Sequence, residues 1–301
     1  MKNLVINWHI TEACNYHCKF CFAKWNHKNE IWENFDNAKH VLDNIRSIWK
    51  VGYRLNFVGG EPLLFPKKIL PVMKYAIALG MDISLQTNGT KLEILKPVIK
   101  NISQIGISID SWNYERNKII GRCCGEKTLN KEELLSKINL LRTEGGRFKL
   151  KINTVVSEWN WNDIVIPQMD ELGCNRIKIL KQMPFGNSNG ITQEQFYTFL
   201  RQNYRENLPI YIEDNDAMTE SYLMLAPNGK LFQNGDSDGY KYSESLLTTD
   251  FCDALRQINF DIEKFDSRYK SDNTDLILRA VFDKKKDRLK KMSEFYGSSQ
   301  R

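Results

Sequence analysis

The chain has 301 residues, 42% of them hydrophobic and 27% charged, which is enough apolar material for one large core and excludes a disordered or repetitive protein. Its net charge of +6 and pI near 8.8 reflect Lys and Arg spread along the chain, so the composition does not call for nucleic acid as a partner. Because residues 1–10 are too short and polar for a signal peptide, no apolar run has the length of a membrane helix, and the seven cysteines do not form a secreted disulfide framework, we expect a cytoplasmic monomer without membrane association.

Predicted strands and helices alternate from the amino terminus onwards. The predicted strands are Leu4–Ile10, Tyr53–Val58, Asp82–Gln86, Gln104–Asp110, Phe148–Val156 and Arg176–Leu180. The predicted helices are Ala38–Trp49, Ile69–Leu79, Lys91–Lys100, Lys131–Arg142, Ile164–Leu172 and Gln193–Tyr204. About six strand-then-helix units predict an α/β fold in which parallel strands with outer helices form a partial barrel. The eight units of a full barrel are not visible.

The alternation is predicted to stop beyond Leu208. The segments Ser221–Leu225 and Lys230–Phe232, on either side of a Pro-Asn-Gly turn, predict a hairpin, and the charged tail 261–301 is expected to be partly helical. We therefore expect a barrel over residues 1–208 and a carboxyl-terminal extension over 209–301. The extension is expected to cover the open face of the barrel and not to form an independent domain.

Three cysteines, Cys14, Cys18 and Cys21, follow the first strand with the spacing C-x-x-x-C-x-x-C. Three thiolates in one loop can bind three corners of a cubane iron–sulfur cluster and leave the fourth iron open to another ligand. The alternatives are buried thiols or a zinc site completed by His17 or His27. Structural zinc usually joins two short clusters that are distant in sequence, and the chain has no second C-x-x-C. The other cysteines are expected to be free thiols: Cys123, Cys124, Cys174 and Cys252.

Two turns, Gly59-Gly60-Glu61-Pro62 and Thr87-Asn88-Gly89, follow the second and third predicted strands. In parallel α/β folds, the loops at the carboxyl ends of the strands carry the ligand site, so both turns are expected beside the cysteines. The first turn is also an ordinary start for a helix, with proline near the first position. As part of a site, its glycines let a ligand approach the backbone, and Glu61 can accept a hydrogen bond from an ammonium group.

Basic residues near the ends of separate predicted strands indicate an anionic substrate. Arg54, Arg122, Lys151 and Lys178 are expected to meet in one cleft, where several charged donors would bind a triphosphate. Any one of them taken alone is equally well explained as a solvated surface charge.

The cysteine loop, with Phe20 before its last cysteine, and the Gly-Gly-Glu-Pro turn together resemble the radical S-adenosylmethionine (SAM) superfamily. In that superfamily the amino and carboxylate groups of SAM bind the open iron of a [4Fe–4S] cluster. An electron from an external reductant of the flavodoxin or ferredoxin type then cleaves SAM to a 5′-deoxyadenosyl radical. The cofactor-binding residues expected here are Phe20, Gly59, Gly60, Glu61, Asn88, Ser108 and Arg122.

A narrower resemblance, from Asn7 to about Leu247, is to viperin and its prokaryotic relatives. It rests on blocks that include Cys-Asn-Tyr-His-Cys-Lys-Phe-Cys-Phe, Leu-Asn-Phe-Val-Gly-Gly-Glu-Pro, Ile-Ser-Ile-Asp-Ser and Ser-Tyr-Leu-Met-Leu, in that order. Viperins take the C4′ hydrogen of a ribonucleoside triphosphate (CTP, UTP or GTP) and form its 3′-deoxy-3′,4′-didehydro analogue, which acts against viruses or phages. The resemblance implies that Tyr222 is catalytic. The implied substrate-binding residues are Asn7, Arg54, Asn56, Lys151, Arg176 and Lys178.

Two other functions remain open at this point. One is a radical SAM enzyme that acts on another small molecule or on a peptide. The other is a non-catalytic module that binds a metal or nucleic acid, for which the spread of basic charge is unfavourable. The chain also begins almost at its first strand and lacks the terminal tryptophan of animal viperins, which favours a prokaryotic form without a membrane anchor.

Overall fold

One ten-stranded sheet runs through the described part of the chain, residues 4–23, 29–184, 190–234 and 240–270 of this computed structural model. The strands are β1 Val5–Thr11, β2 Arg54–Gly59, β3 Asp82–Thr87, β4 Ile102–Ser108, β5 Lys149–Val156, β6 Arg176–Lys181, β7 Ile210–Glu213, β8 Leu223–Leu225, β9 Lys230–Asn234 and β10 Tyr240–Ser245. The α-helices are α1 Phe35–Ser47, α2 Pro66–Ala78, α3 Tyr114–Ile120, α4 Lys131–Thr143, α5 Gln193–Asn203, α6 Asn215–Met218, α7 Phe251–Arg256 and α8 Ile262–Lys270.

The strands β1 to β7 pair in parallel, each with the next along the chain, and β8 pairs in parallel with the free edge of β1. The strand order is β10-β9-β8-β1-β2-β3-β4-β5-β6-β7, and β9 pairs in antiparallel fashion with both β8 and β10. The predicted α/β class, with six strand-then-helix units in a partial barrel, is confirmed. The predicted hairpin is also present, as β8 and β9.

A seventh parallel strand, β7, shows that the alternation does not stop at Leu208 as predicted. It pairs with β6, with Ile177 opposite Ile210 and Leu180 opposite Glu213. The sequence signal was weak because the strand has four residues and directly follows Pro209, too short a run to display a period. The division of the chain at residue 208 stays a prediction, and residues 271–301 lie outside the described part.

Two connections that were predicted as α-helices contain 3-10 turns instead. Residues 91–100 form the short turns Leu92–Leu95 and Ile99–Asn101 around Pro97, and the connection after β5 is a 3-10 helix, Ile166–Leu172, with Pro167 in its first turn. Proline removes a backbone donor and restricts the residue before it, so an α-helical register is not sustained through the first of these segments. No helix in the described ranges is long and apolar enough to cross a bilayer.

The two faces of the barrel sheet differ in polarity. The outward face packs on the helices through side chains that are almost fully buried: Trp8, Phe57, Leu85, Ile107, Ile152 and Ile179. The register places the polar residues on the opposite face, because residues paired across parallel strands point the same way: Asn7, Asn56, Ser84, Gln104, Lys151, Arg176 and Lys178. The core therefore lies between sheet and helices, and the barrel lumen is polar and cationic.

Candidate active site

The cysteine loop leaves β1 and is held against the carboxyl end of α3. The backbone N–H of His17 donates to the Gly121 carbonyl (3.0 Å), and that of Lys19 donates to the Ile120 carbonyl (2.9 Å). Gly121 has φ +90°, and a Cβ at this position would lie 2.3 Å from the His17 carbonyl oxygen. A glycine is therefore required here both by the backbone conformation and by the closeness of the loop.

The three cysteines are partly buried free thiols; the other four are also free, and of these Cys124 and Cys252 are exposed. Burial raises the pKa of the Cys18 thiol to about 11 and also raises that of Cys14, so both are protonated near neutral pH until iron binds. Among the described residues, no three or more His, Cys, Asp or Glu side chains converge on one metal ion. A cubane cluster does not require such convergence, because each thiolate binds a different iron. Three sulfur donors on one loop suit that cluster. Of the two histidines considered as further ligands of a zinc ion, His27 lies outside the described residues.

The Gly-Gly-Glu-Pro turn packs directly on the start of the cysteine loop. The Gly60 N–H donates to the Thr11 carbonyl (2.7 Å), and the Glu61 N–H donates to the Ala13 carbonyl (2.8 Å). A Cβ on Gly60 would lie 2.2 Å from the Ala13 oxygen, and one on Gly59 would lie 2.4 Å from the Thr11 oxygen. In this structure the close approach that the two glycines permit is made by the protein backbone itself.

Glu61 joins the turn to the end of β3. Its buried carboxylate accepts hydrogen bonds from the Leu63 N–H (3.1 Å), the Thr87 hydroxyl (2.7 Å) and the Asn88 N–H (2.8 Å). Burial raises the pKa of Glu61, and these three bonds offset part of that rise. A carboxylate has about four acceptor positions, so these three bonds leave about one of them unused.

The remaining predicted cofactor residues lie around a recess beside the cysteine loop. The walls of this shallow recess include Tyr16, Asn88, Ser108, Asp110 and Arg122. The Asn88 side chain donates to Asn15 Oδ1 (2.7 Å) and lies 3.9 Å from Cys14 Sγ. The Phe20 ring lies 5.8 Å from the Arg122 guanidinium carbon.

Asp110 fixes Arg122 in this recess and was not predicted as a site residue. The two side chains form a buried ion pair, and the other Asp110 oxygen accepts from the Val155 N–H (2.7 Å). Burial lowers the pKa of Arg122, but the Asp110 carboxylate raises it by more, so the net pKa lies above the usual value. Because Arg122 lies against Phe20 and lines the recess with Tyr16, it faces the cysteine loop and not the lumen face of the sheet that carries Arg54, Lys151 and Lys178.

An amide and hydroxyl chain crosses the lumen below the loop. Asn56 donates to Asn7 Oδ1 (2.8 Å), the Ser84 hydroxyl donates to Asn56 Oδ1 (2.9 Å), and Asn7 donates to the Leu223 carbonyl (3.3 Å). These bonds connect three barrel strands to β8. They give Asn7 and Asn56 fixed orientations on the inner face.

The basic residues of the lumen come from three different strands. Arg54 opens β2, where it pairs with Asp82 (3.0 Å), and Arg176 opens β6, beside Lys151 in the sheet register. The Arg176 guanidinium carbon lies 4.1 Å above the Tyr211 ring, and its buried Nε has no hydrogen-bond partner within the described residues. A buried guanidinium N–H of this kind is able to bind an anion.

Lys178 and Tyr222 meet at a carboxylate that sequence reasoning missed, Glu213. The Lys178 ammonium lies 2.5 Å from Glu213 Oε1 and 2.5 Å from the Tyr222 oxygen, and the Tyr222 hydroxyl donates to Glu213 Oε2 (2.5 Å). Glu213 is the last residue of β7, the strand that the sequence analysis did not recognise. A correct assignment of β7 would have placed its carboxylate at the carboxyl edge of the sheet.

A parallel strand–helix barrel with three cysteines after its first strand and a Gly-Gly-Glu-Pro turn packed on them defines the radical SAM class of enzymes. The family model described as "Radical SAM superfamily" matches residues 8–179. The chain belongs to that superfamily and, within it, to the S-adenosylmethionine-dependent nucleotide dehydratases, which confirms the predicted resemblance to viperin and its relatives. Its cofactors are accordingly a [4Fe–4S] cluster and SAM.

The relatives cover most of the chain. It is 45% identical to the S-adenosylmethionine-dependent nucleotide dehydratase of Fibrobacter sp. (strain UWH6), over 90% of this chain and 89% of that protein. A protein of the same name from Psychrobacter lutiphocae is 38% identical over 89% and 95% of the two chains, and RSAD2 of Oncorhynchus mykiss is 25% identical over 86% and 77%. The structure described as native anSMEcpe with bound AdoMet superimposes with a TM-score of 0.58 at 14% identity, covering 88% of this chain and 82% of that one, a likeness of fold.

Proposed function

We propose that this enzyme removes water from a ribonucleoside triphosphate, CTP, UTP or GTP, by hydrogen abstraction at C4′ and forms the 3′-deoxy-3′,4′-didehydro analogue for antiviral or anti-phage defence. The observation that carries the proposal is the cationic lumen directly below the cysteine loop, with Lys178 buried at its wall. Lys178 and Arg54 already pair with Glu213 and Asp82, whereas the buried Nε–H of Arg176 has no partner among the described residues; the roughly four negative charges of a triphosphate would complement this cationic wall. The relatives named as nucleotide dehydratases support the same reaction.

The cofactor side of the site is formed by the cysteine loop and the recess beside it. Cys14, Cys18 and Cys21 would bind the cluster, and Asn88 and Arg122 would border SAM, together with the Gly-Gly-Glu-Pro turn, Phe20 and Ser108. When bound, this pair of cofactors supplies the one-electron chemistry that takes a hydrogen atom from the sugar. The protein's own contribution is orientation and the exclusion of water.

The substrate side is formed by the lumen. Arg54, Lys151, Arg176 and Lys178 would bind the phosphate oxygens, because charge-assisted hydrogen bonds to phosphate are strong and directional. Asn7 and Asn56 present fixed amides to the ribose. Held this way, the sugar presents a single C–H bond to the cofactor side.

Tyr222 is proposed as the proton donor to the leaving 3′ oxygen. Its hydroxyl lies between Lys178 and Glu213, so the proton is held at a defined place in the lumen wall. Loss of the 3′-hydroxyl as water from the C4′ radical needs one proton at that oxygen, which a positioned phenol can provide, and one further electron from the external reductant would then complete the product.

We further propose that residues 209–301 close the site as a covering segment of the same domain. Tyr222, which belongs to this segment, reaches into the lumen as far as Lys178, and β8 pairs with β1. A reactive intermediate needs such shelter from solvent. The enzyme is proposed to act as a cytoplasmic monomer with an external one-electron reductant of the flavodoxin or ferredoxin type.

The test is to incubate anaerobically reconstituted protein with SAM, a reductant and each of the four ribonucleoside triphosphates separately. At least one triphosphate should accelerate the release of 5′-deoxyadenosine and give a product lighter by one water, measured by mass spectrometry. If none of the four accelerates SAM cleavage, the nucleotide assignment is wrong, and a radical SAM enzyme with another substrate takes its place.

Removing only the Tyr222 hydroxyl should separate radical formation from dehydration. In Tyr222→Phe we expect the dehydration rate to fall by roughly a hundredfold, the usual contribution of a positioned acid, while 5′-deoxyadenosine is still formed. The matched control is Tyr75→Phe, which removes a hydroxyl that bonds Asp43 on the outer surface and should leave both rates unchanged. A Tyr222→Phe enzyme that dehydrates at the wild-type rate would exclude the proton-donor role.

A further inference from the structure

The partial barrel has an open seam between β7 and β8. Within the described strands, β7 pairs only with β6, and β8 pairs with β1 and β9, so no strand ladder joins the two. The contact across the seam is made by side chains. Tyr222, directly before β8, reaches Glu213 at the end of β7 and Lys178 on β6. These three residues, called here the seam cluster, close the lumen where the backbone leaves it open.

The seam cluster contains an ion pair that is almost completely buried. The Lys178 side chain is 7% exposed and that of Glu213 is 3% exposed, and the Lys178 ammonium also lies 4.9 Å from the centre of the Tyr222 ring. The backbone carbonyl of Tyr222 accepts a hydrogen bond from the Gln233 side chain on β9, which fixes this residue from the other side. Because desolvating two charges is costly, a buried pair is weak evidence for a role in stability alone.

We propose that Glu213 is a positioning residue of the reaction: it orients the Tyr222 hydroxyl and holds the Lys178 ammonium, and its negative charge weakens the binding of the triphosphate. This inference rests on the proposed function, because it takes Lys178 and Tyr222 as the groups that meet the substrate. Glu213 itself acts through them. One carboxylate oxygen faces each partner, which only a carboxylate can do while accepting from both.

The assignment predicts opposite effects on binding and on rate. Glutamine has the shape of glutamate without its charge, and its single carbonyl oxygen can replace only one of the two acceptors. In Glu213→Gln the Lys178 ammonium loses its ionic partner whichever contact the amide keeps, and the repulsion between carboxylate and phosphate is gone, so binding tightens. With only one of the two acceptors left, the Lys178–Tyr222 pair is oriented less precisely, so dehydration slows. A substitution that only destabilised the fold would weaken triphosphate binding and lower the dehydration rate together.

The experiment compares wild type, Glu213→Gln and Glu213→Asp in the full chain, reconstituted with cluster and SAM. Calorimetry with the triphosphate that the wild type dehydrates gives Kd, and product analysis gives kcat and the ratio of 5′-deoxyadenosine to dehydrated nucleotide. For Glu213→Gln we expect Kd to fall by about fivefold, as for the removal of one nearby like charge. We expect kcat to fall by at least about tenfold and the ratio to rise, as radical formation uncouples from dehydration.

Two further variants control the result. Glu171→Gln makes the same change in net charge at an exposed residue that pairs with Lys131, and it should leave Kd and kcat unchanged. Glu213→Asp keeps the charge but shortens the side chain, so kcat should fall while Kd stays near the wild-type value. This variant decides the question if Glu213→Gln does not fold.

The proposal is overturned if Glu213→Gln binds the triphosphate more weakly and loses rate in parallel, or if it matches the wild type in both. An Asp variant with the wild-type rate also overturns it. These outcomes differ from failure of the proposed function, in which the wild type itself dehydrates none of the triphosphates and both proposals fall.

Discussion

Cys18→Ala should abolish the reductive cleavage of SAM. With Cys18 removed, the loop retains two thiols, and two cannot hold the three corners that leave one iron open for SAM. We expect the release of 5′-deoxyadenosine to fall by on the order of a thousandfold or more, the scale on which loss of an essential group acts. The measurements are iron and sulfide content after anaerobic reconstitution, the visible absorption of the cluster, and 5′-deoxyadenosine formed with SAM and a reductant.

Loss of the cluster can be distinguished from loss of the fold. The Cys18 sulfur makes one weak contact, 3.9 Å from the Gly121 carbonyl oxygen, so the cluster-free variant should unfold within a few degrees of the cluster-free wild type. Cys252→Ala, which removes an exposed thiol on α7, is the matched control and should keep full iron content and activity. SAM cleavage at the wild-type rate in Cys18→Ala would show that the cluster is held elsewhere.

The fold was predictable because its units carry strong local signals. The strands β1 to β6 are runs of six to eight residues in which apolar residues largely alternate with polar ones, and the outward apolar positions form the core. The misses arise where that signal is weak. β7 has too few residues to show a period, and two connections that look amphipathic contain Pro97 and Pro167 and become 3-10 turns.

The residues of the candidate site also fall into those that a local sequence pattern reveals and those that only the fold reveals. The cysteine spacing and the Gly-Gly-Glu-Pro turn are local patterns, so they were recognisable in the sequence. Asp110 and Glu213 were missed because an isolated carboxylate in a sequence is normally a surface charge. Their importance appears only when the fold brings Asp110 to Arg122 and Glu213 to Lys178. For Glu61 the sequence indicated an acceptor for an ammonium group, which stays a prediction; the structure adds that this carboxylate already accepts three internal hydrogen bonds.

Gly121→Ala should be among the most damaging substitutions outside the cysteines themselves. Gly121 combines φ +90° with a Cβ position only 2.3 Å from the His17 carbonyl oxygen, and its own carbonyl accepts the hydrogen bond from the His17 N–H. Backbone strain costs about 1–2 kcal/mol, and forcing the cysteine loop away adds about 1–3 kcal/mol. We expect a loss of roughly 2–5 kcal/mol in the free energy of unfolding, measured on the cluster-free protein by denaturant titration.

Gly80→Ala is the matched control for backbone strain. Gly80 has φ +73° but nothing within 4 Å of its Cβ position, so alanine there should cost only the conformational part, about 1–2 kcal/mol. The difference between the two losses in free energy of unfolding measures the cost of displacing the cysteine loop. Because that loop carries all three proposed cluster ligands, Gly121→Ala should also take up less iron on reconstitution, whereas Gly80→Ala should take up the wild-type amount. Equal losses of stability and equal iron content would mean that the loop yields without cost, and the contact between α3 and the cysteine loop would then have no part in holding the cluster.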